Sequence, residues 1–484
     1  MTKNQNIFQK FLDEGKPVGE IVAINRFVLT LRGAQPCNVF SLILFEDGSR
    51  GYVQKIDKEF TIVLHLGNKP PKVGTFGVVL SDQLKTKVGT EFIGRVVSVT
   101  GEPLDGKGPI LNYRSWNIFN KAPDINEREG LSTQIETGVI VVDSLFPIVK
   151  GQRMALLGDS KSGKSSLATQ MIINQKNTDQ IVVYCLIAKR KVDVDQTISW
   201  LAQNGGLEKA IVVVATLYDS LATNFLAPYV ACSMAEYLWQ EENNDVIVVY
   251  DDLSAHAQVH REISLLQGVS PGRDSYPGDT FYTHSRLLER AGKLNKNSKC
   301  LTAIGIVNVS NGDISAYLPT NIMSITDGQW ILDMNLFKNG QRPALNTGLS
   351  VTRAGGLGHN SRQKHLVIQT LKILADYQEA KEFSHFGNEL SDQSKRALYV
   401  GDLIYELLNQ APNRVFSLLE QQLMLNLIVD LDLGANLSIN ELTQKIKQYG
   451  SKILVKDDFE VQLQNLRKDF LSPNSNLNKE GAKT

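Results

Sequence analysis

One glycine-rich stretch constrains this chain more than any other, because it fixes the structure expected on both of its sides. Gly158, Gly163, Lys164 and Ser165 have the spacing G-x-x-x-x-G-K-S. The run before them is short and apolar, as a buried parallel strand should be, and the run after them has helical spacing. Strand, glycine loop and helix in this order predict a loop that binds phosphate.

The chemistry of such a loop follows from its backbone. Glycines let the chain curl until several N–H groups point at one phosphate, and the helix N-terminus adds partial positive charge. We expect Lys164 to reach the β- and γ-phosphates and the Ser165 hydroxyl to bind Mg²⁺. The predicted nucleotide-binding residues of the loop are Gly158, Asp159, Ser160, Lys161, Ser162, Gly163, Lys164, Ser165 and Ser166.

The composition is typical of a soluble globular protein of about three domains. The 484 residues include 51 basic and 51 acidic side chains. This balance gives no global field that would favour a nucleic acid or an anionic membrane as partner. No secretion signal is evident, and no apolar stretch approaches the about 20 residues of a membrane helix. We therefore expect a cytoplasmic protein that reaches a membrane only through partner subunits.

The hydrophobic periodicity changes twice along the chain and predicts a multidomain α/β protein. Short strands with frequent turns within about 70 residues indicate a small β-barrel. The absence of interleaved aromatic and basic residues favours a packing or ring-forming barrel over an oligonucleotide-binding one. Strands and helices then alternate, which predicts a parallel sheet, and a helical bundle follows. The predicted segments are an N-terminal tail (1–17), the barrel (18–83), a nucleotide-binding domain (84–359), the helical domain (360–471) and a disordered tail (472–484).

Individual elements can be placed within these segments. The predicted barrel strands are 21–31, 39–45, 51–55 and 60–66. The predicted buried strands of the sheet are 154–157, 181–188, 210–215, 245–250 and 300–307. Helical patterns between them lie at 196–201, 231–239 and 285–294, and those of the last domain at 365–378, 391–408, 418–430 and 439–447.

A second motif follows the apolar run 245–250, which ends in the carboxylates Asp251 and Asp252. A carboxylate at the tip of a strand beside a phosphate loop orients Mg²⁺ through its water shell. Asp251 is the better candidate because it follows the strand directly. The sequence therefore predicts that Asp251 binds the metal through water.

The group that would activate water is missing at its usual position after the second strand. Hydrolysis of a nucleoside triphosphate needs a carboxylate or a glutamine, usually at the end of the strand after the phosphate loop. That strand ends in Lys189, Arg190 and Lys191, none of which accepts a proton while charged. The three cations are equally consistent with a solvated loop and with a contact to an anion. Either way, we expect the chain to bind Mg-ATP better than it hydrolyses it.

Seven stretches resemble the α subunit of F-type rotary ATP synthases. They are 94–110, 142–148, 250–254, 271–279, 284–290, 324–329 and 342–353. The resemblance implies a β-barrel, a RecA-like P-loop domain and a C-terminal helical bundle. It also implies an alternating α₃β₃ ring around a γ-like central shaft, in which the α subunit binds ATP or ADP with Mg²⁺ at non-catalytic sites beside catalytic β-type subunits.

The resemblance also implies roles for single residues. Arg353 matches the family's arginine finger, which acts in trans on the neighbouring catalytic site. A guanidinium suits this role because it stays charged and forks onto phosphate oxygens. Ser324 and Ser350 match interface residues of the same catalytic site. The residues that match the family's adenine pocket are Phe337, Arg342, Pro343 and Gln410.

The chain also departs from the family pattern. The family's α loop has Arg-Gln-Thr where this chain has residues 160–162, and Lys189 replaces a glutamine after the second strand. Pro412 replaces a second adenine-contacting glutamine. The segment before the barrel has about 17 residues, whereas the family uses a longer helix there to dock the stationary stalk. The replacement for that stalk contact is therefore left open.

The sequence leaves several alternatives for the partners and the activity. The partners are either the membrane sector of an ATP synthase or other machinery, because some wall-less bacteria have divergent α/β-type rings that power gliding. A hexameric RecA-like helicase is disfavoured, since it would keep a catalytic glutamate and show basic pore loops. A structural subunit without nucleotide would normally lack an intact phosphate loop. The direction of the reaction and any coupling ion cannot be deduced from the residues.

Overall fold

A closed β-barrel follows the first helix, α1 (Lys3–Asp13). The computed structural model describes residues 3–384, 391–412, 414–433, 435–453 and 458–471, so the predicted tail at 472–484 lies outside the described residues. The barrel strands are β1 (Val18–Asn25), β2 (Val28–Gly33), β3 (Leu42–Phe45), β4 (Arg50–Ile56), β5 (Phe60–His65) and β6 (Phe76–Ser81). They pair antiparallel in the order β1-β2-β5-β4-β3-β6 and close on β1.

Alternating apolar side chains fill the barrel. Leu29 and Leu31 on β2 are buried, as are Ile43 and Phe45 on β3, because residues two apart in a strand share a face. Gly77 on β6 leaves room for this core, since a Cβ there would lie 2.7 Å from the side chain of Ile43. The predicted small barrel is confirmed.

Two details of the predicted barrel are wrong. The single strand predicted at 21–31 is the hairpin β1–β2, whose turn places Arg26 at φ 53°. The turn could not be predicted from the sequence, because the left-handed conformation is usually adopted by glycine or asparagine and not by arginine. The sixth strand, β6, was not predicted, and its pairing with both β1 and β3 is what closes the barrel.

The described chain forms two compact units that alternate along the sequence. The first contains Met1–Gly130, Lys150–Leu157 and Gln175–Asp327, and the second contains Leu131–Val149, Gly158–Asn174 and the described part of Gly328–Thr484. The boundaries of the three domains predicted from the sequence stay a prediction.

A parallel sheet forms the centre of the first unit. The strands of this unit after the barrel are β7 (Lys85–Val88), β8 (Val96–Ser98), β9 (Arg114–Asn117), β10 (Arg153–Gly158, whose last residue is assigned to the second unit), β11 (Ile181–Lys189), β12 (Ala210–Thr216), β13 (Val246–Asp251), β14 (Gly292–Lys293) and β15 (Cys300–Asn308). Parallel pairing runs through β8-β12-β11-β13-β15, and β10 borders β15. Antiparallel pairs join β14 to β15 and β7 to β9.

The register of the sheet brings the carboxyl ends of its strands together. Leu186 on β11 lies opposite Asp251 on β13, so the residues that follow both strands meet at one edge. The strands are continuous apolar runs, as expected for a sheet covered on both faces. All five predicted strands and the predicted parallel sheet are confirmed.

Helices cover this sheet. They are α4 (Lys191–Gln203), α5 (Leu221–Gln240), α6 (Leu253–Leu266), α7 (Thr280–Leu288) and α8 (Tyr317–Ile325). The helix predicted at 285–294 is wrong in its second half, because α7 ends at Leu288 and Gly292 begins β14. A Cβ at Gly292 would lie 2.4 Å from the guanidinium of Arg128, so a side chain there would displace the hydrogen bond that Arg128 donates to the Ala291 oxygen.

The second unit contains most of the remaining helices and two short strands. The helices are α2 (Ile140–Leu145), α3 (Lys164–Asn174), α9 (Met334–Lys338), α10 (Ser361–Ser384), α11 (Asp392–Leu408), α12 (Leu418–Val429), α13 (Ile439–Gly450) and α14 (Asp458–Leu471). The strands β16 (Gly328–Leu332) and β17 (Val351–Thr352) pair antiparallel. The predicted C-terminal helical region is confirmed. Within the described ranges, no helix is both long and apolar enough to cross a bilayer.

Candidate nucleotide-binding site

The glycine loop connects β10, which ends at Gly158, to α3, which begins at Lys164. Lys161 and Gly163 have φ of 65° and 99°, so the backbone curls in the left-handed region. A Cβ at Gly158 would lie 2.6 Å from the Ser162 hydroxyl oxygen. The predicted order of strand, curled loop and helix is therefore present.

Two side chains of this loop have groups that can donate hydrogen bonds to an anion. The Nζ of Lys164 lies 2.8 Å from the backbone oxygen of Gly158 and 2.6 Å from that of Asp159, and the residue is buried. The Ser162 hydroxyl is buried and has no hydrogen-bond partner within the part of the chain that the structure describes. A buried hydroxyl without a partner is costly unless a ligand satisfies it. The loop, the cation and the start of α3 together can hold a phosphate.

An aromatic and guanidinium cluster lies beside the loop. The guanidinium of Arg342 lies 3.5 Å from the ring centroid of Phe337 and donates to the Phe337 backbone oxygen at 2.6 Å. The Phe337 ring lies 3.8 Å from the point that a Cβ of Gly163 would occupy. Half-buried Pro343 follows directly. The structure thus places Phe337 next to the phosphate loop and Arg342 against its ring, and a contact of any of the three with a nucleotide stays a prediction.

Gln410 joins the same cluster through its backbone. Its N–H donates to the Arg342 oxygen at 2.6 Å. Its buried side chain donates to the Gly138 oxygen at 2.7 Å and accepts from the Ile140 N–H at 2.9 Å. The side-chain amide therefore bonds to the backbone at the start of α2. A contact between Gln410 and a nucleobase stays a prediction.

In the first unit, Asp251 is the centre of a buried polar cluster. The Lys189 Nζ lies 2.5 Å from Asp251 Oδ1, and the Tyr184 hydroxyl donates to Asp251 Oδ2 at 2.7 Å. Lys189 is also 3.4 Å from Asp252 Oδ2, which accepts from the Asn308 amide at 2.9 Å. Burial lowers the pKa of Lys189, but the charges of the two carboxylates outweigh it and leave the pKa above its ordinary value. Lys189 is therefore a charged ammonium.

The three cations at the end of β11 do not act together. Lys189 pairs with the carboxylates of Asp251 and Asp252, whereas exposed Arg190 pairs with Asp193 at 2.8 Å. Lys191 is exposed at the start of α4. Of the two interpretations left open by the sequence, a solvated loop fits Arg190 and Lys191, and Lys189 binds internal carboxylates instead.

The predicted catalytic-interface residues lie in different units. Arg353 is exposed and follows β17, and nearby Ser350 is buried with its oxygen accepting from the Ile331 N–H at 3.0 Å. Ser324 is exposed on α8 of the first unit and donates to the Thr320 oxygen at 2.8 Å. Their roles in a catalytic site stay predictions.

A buried histidine cluster in the first unit was not predicted from the sequence. His256, His260 and His284 lie between α5, α6 and α7, and His256 Nδ1 is 3.1 Å from His284 Nε2. The positions of His256 and His260, four apart on one helix face, were the available signal. Among the described residues, no group of three or more His, Cys, Asp or Glu side chains has the arrangement of a metal site.

The parallel sheet, the curled glycine loop and the carboxylates at the strand ends define a P-loop nucleotide-binding protein. Two family models match: the ATP synthase alpha/beta family, nucleotide-binding domain over residues 138–352 and the ATP synthase alpha/beta chain, C terminal domain over residues 363–470. The chain belongs to the ATP synthase alpha/beta family.

Within this family, the chain is similar to curated proteins named ATP synthase subunit alpha. It is 38% identical over 434 residues to ATP synthase subunit alpha of Clostridium botulinum (strain Eklund 17B / Type B), which covers 89% of this chain and 86% of the relative. It is 40% identical over 400 residues to ATP synthase subunit alpha of Helicobacter pylori (strain HPAG1), covering 82% and 79%. A relative of the same name from Helicobacter acinonychis (strain Sheeba) gives the same identity and coverage.

Proposed function

We propose that this chain is a non-catalytic, nucleotide-binding α-type subunit of a rotary ATPase ring. The observation that carries the proposal is the glycine loop, which contains buried Lys164 and a Ser162 hydroxyl that has no hydrogen-bond partner among the described residues. ATP or ADP would bind there, with its base toward Phe337, Arg342, Pro343 and Gln410. The remaining loop residues, 159–161, 165 and 166, would complete the phosphate cradle. Ser165, which lies in the first turn of α3, would bind Mg²⁺ through its hydroxyl.

The non-catalytic role is supported by the chemistry at the end of β11. Hydrolysis needs a base that can accept a proton from water. The Lys189 ammonium cannot do so, and it holds the buried Asp251 carboxylate in an ion pair. The bound nucleotide would instead stabilise the folded chain, because a ligand that binds only the native state shifts the folding equilibrium toward it.

The catalytic contribution of this chain would be Arg353. Its side chain is exposed, as a group that acts on a neighbouring subunit must be. The loop that carries it is fixed, since Thr352 donates to the Pro147 oxygen at 2.8 Å and accepts from the Gly355 N–H at 2.9 Å. A positioned guanidinium stabilises the charge that develops on the transferred phosphoryl group. Ser324 and Ser350 would belong to the same interface.

The partners follow from the relatives, which are named ATP synthase subunit alpha. We infer an alternating ring with a catalytic β-type subunit around a γ-like shaft, formed by the barrel (18–83), nucleotide-binding (84–359) and helical (360–471) domains. The ring would lie on the cytoplasmic side of the membrane, held there by partner subunits. Purification of the complex from cells identifies the machinery: a, b and c membrane subunits indicate a synthase, and motility proteins indicate a specialised motor.

The first experiment measures binding and turnover on the isolated full-length chain. Titration with a fluorescent ATP analogue is expected to show saturable binding that unlabelled ATP reverses. Phosphate release under the same conditions is expected to stay at background. Brisk turnover would contradict the non-catalytic role, and absence of binding would contradict the nucleotide site.

A further inference from the structure

The carboxylate that the sequence assigns to Mg²⁺ already has a cation. Asp251 is buried, its Oδ1 lies 2.5 Å from the Lys189 ammonium, and its Oδ2 accepts from the Tyr184 hydroxyl at 2.7 Å. Mg²⁺ in nucleotide sites keeps several waters and needs carboxylates that those waters can reach. The residues at Asp251 therefore do not fit a hydrated magnesium ion.

The neighbouring carboxylate does not replace it. Asp252 Oδ1 accepts from the Ala255 N–H at 2.6 Å and caps helix α6, and Asp252 Oδ2 accepts from the Asn308 amide at 2.9 Å. Lys189 lies 3.4 Å from the same Oδ2. Both carboxylates at this edge of the sheet are thus tied to groups of the protein itself.

The backbone that presents Lys189 is held in an unusual conformation. Ala188 has φ of 50°, a region that alanine rarely adopts. Its N–H donates to the side-chain oxygen of buried Asn224 at 3.0 Å, and the Asn224 amide donates to the Thr216 oxygen at 3.0 Å. The Lys189 oxygen accepts from the Leu217 N–H at 3.0 Å. Three hydrogen bonds therefore stabilise the bend that directs Lys189.

We propose that the Lys189 ammonium is a built-in substitute for the metal at Asp251, so that Mg²⁺ changes the affinity of this chain for ATP very little. The inference rests on the proposed nucleotide site and specifies its cofactor requirement. A metal ion attracted to Asp251 would have to displace the ammonium or lie next to a like charge, and both are unfavourable. The charge of the nucleotide is balanced by Lys164 and the loop N–H groups instead.

The test compares nucleotide affinity with and without the metal. Trinitrophenyl-ATP is titrated into the full-length chain in excess Mg²⁺ and in excess EDTA, and the dissociation constants are confirmed by competition with ATP. We expect the two constants of the wild-type chain to differ by less than about threefold. In Lys189→Gln, where Asp251 loses its internal cation, we expect Mg²⁺ to tighten binding by about tenfold or more.

Two further variants control for charge and for folding. Lys191→Gln removes an exposed cation two residues away and is expected to keep the wild-type ratio. Lys189→Arg keeps the positive charge and should also keep the wild-type ratio. If Lys189→Gln fails to fold by circular dichroism, the comparison of the wild-type chain in Mg²⁺ and in EDTA still decides the question. Strong Mg²⁺ dependence of the wild-type chain would overturn the inference and leave the nucleotide site intact. Absence of binding under both conditions would overturn both.

Discussion

The ammonium of Lys164 lies 2.6 Å from the backbone oxygen of Asp159, so the lysine side chain folds back onto the loop that precedes it. On nucleotide binding, we expect the ammonium to exchange these carbonyl contacts for phosphate oxygens. A hydrogen bond to a charged group contributes about 1.5–3 kcal/mol, or roughly 10- to 150-fold in affinity. Lys164→Met is therefore expected to weaken ATP binding by this factor, measured by fluorescence titration.

The control for this variant is Lys58→Met, which removes an exposed lysine of the barrel. It is expected to leave the affinity unchanged. Equal affinities of Lys164→Met and the wild-type chain would show that the loop does not bind phosphate through this lysine.

Replacing Arg353 tests the contribution to a neighbouring catalytic site. Arg353→Lys keeps the charge but loses the fork that contacts two phosphate oxygens. Arginine fingers contribute about 10³–10⁵ in turnover, so ATP hydrolysis by the assembled ring should fall by orders of magnitude. The measurement is phosphate release by reconstituted rings. Nucleotide binding by the isolated variant is the control and should be unchanged, whereas unchanged turnover would remove Arg353 from the mechanism.

Local patterns were sufficient to predict the loop and the sheet. The spacing from Gly158 to Ser165 fixes strand, turn and helix within about 20 residues, and the five buried strands are apolar runs bounded by turns. The hairpin at Arg26 was not predictable, because its left-handed residue carries a long side chain. Such a turn is stabilised by the pairing of β1 with β2 and leaves no signal in composition.

The contacts around the candidate site depended on register and packing. The sequence shows Lys189 and Asp251 as ends of two separate strands, and only the pairing of β11 with β13 brings them to 2.5 Å. In the same way, His256 and His284 meet because α6 packs near α7. Chemistry that forms between elements distant in sequence cannot be predicted from the composition of either element.

A buried ion pair lies in the first unit. Arg290 donates through Nε to Glu236 at 2.6 Å and through Nη1 to the Ile118 oxygen at 2.9 Å, and Glu236 also accepts from the Asn120 amide at 2.9 Å. Both charged side chains are fully buried. Arg290→Met would leave the Glu236 carboxylate buried without its cation, which costs about 3–5 kcal/mol. We expect a matching loss of stability in urea unfolding.

The double variant Arg290→Met/Glu236→Met distinguishes the lost pair from lost packing. Removing both charges leaves no buried unpaired ion, so much of the lost stability should return. A double variant as unstable as Arg290→Met would show that the arginine acts through its other hydrogen bonds.

The histidine cluster predicts a loss of stability in acid. His256 Nε2 lies 3.0 Å from the Phe225 backbone oxygen, which can only accept, so Nε2 carries the proton. Nδ1 must then accept from His284 Nε2–H at 3.1 Å. Protonation of His256 would place two N–H groups against each other. Burial lowers the pKa of His256 to about 3, with a further contribution from His260.

The direction of this pH effect on stability follows from proton binding by the unfolded state. An unfolded histidine takes up a proton below pH about 6.5, and folded His256 does so only near pH 3. The contribution of His256 to stability is therefore unchanged above pH about 6.5 and falls by up to about 1.4 kcal/mol per pH unit between about pH 6.5 and pH 3. Asp143 acts in the opposite direction, because burial raises its pKa to about 6 and its contribution falls as the pH rises toward that value.

A variant isolates the histidine from these other groups. His256→Gln keeps a side-chain donor for the Phe225 oxygen but has no titrating nitrogen. Urea unfolding of the wild-type chain and the variant between pH 7.5 and about 5 should show stability falling with acid in both, with a shallower slope in the variant. The difference in slope should correspond to about one proton, since only His256 has been removed. Parallel slopes would mean that His256 is protonated in the folded state as readily as in the unfolded one, which the two hydrogen bonds of its ring oppose.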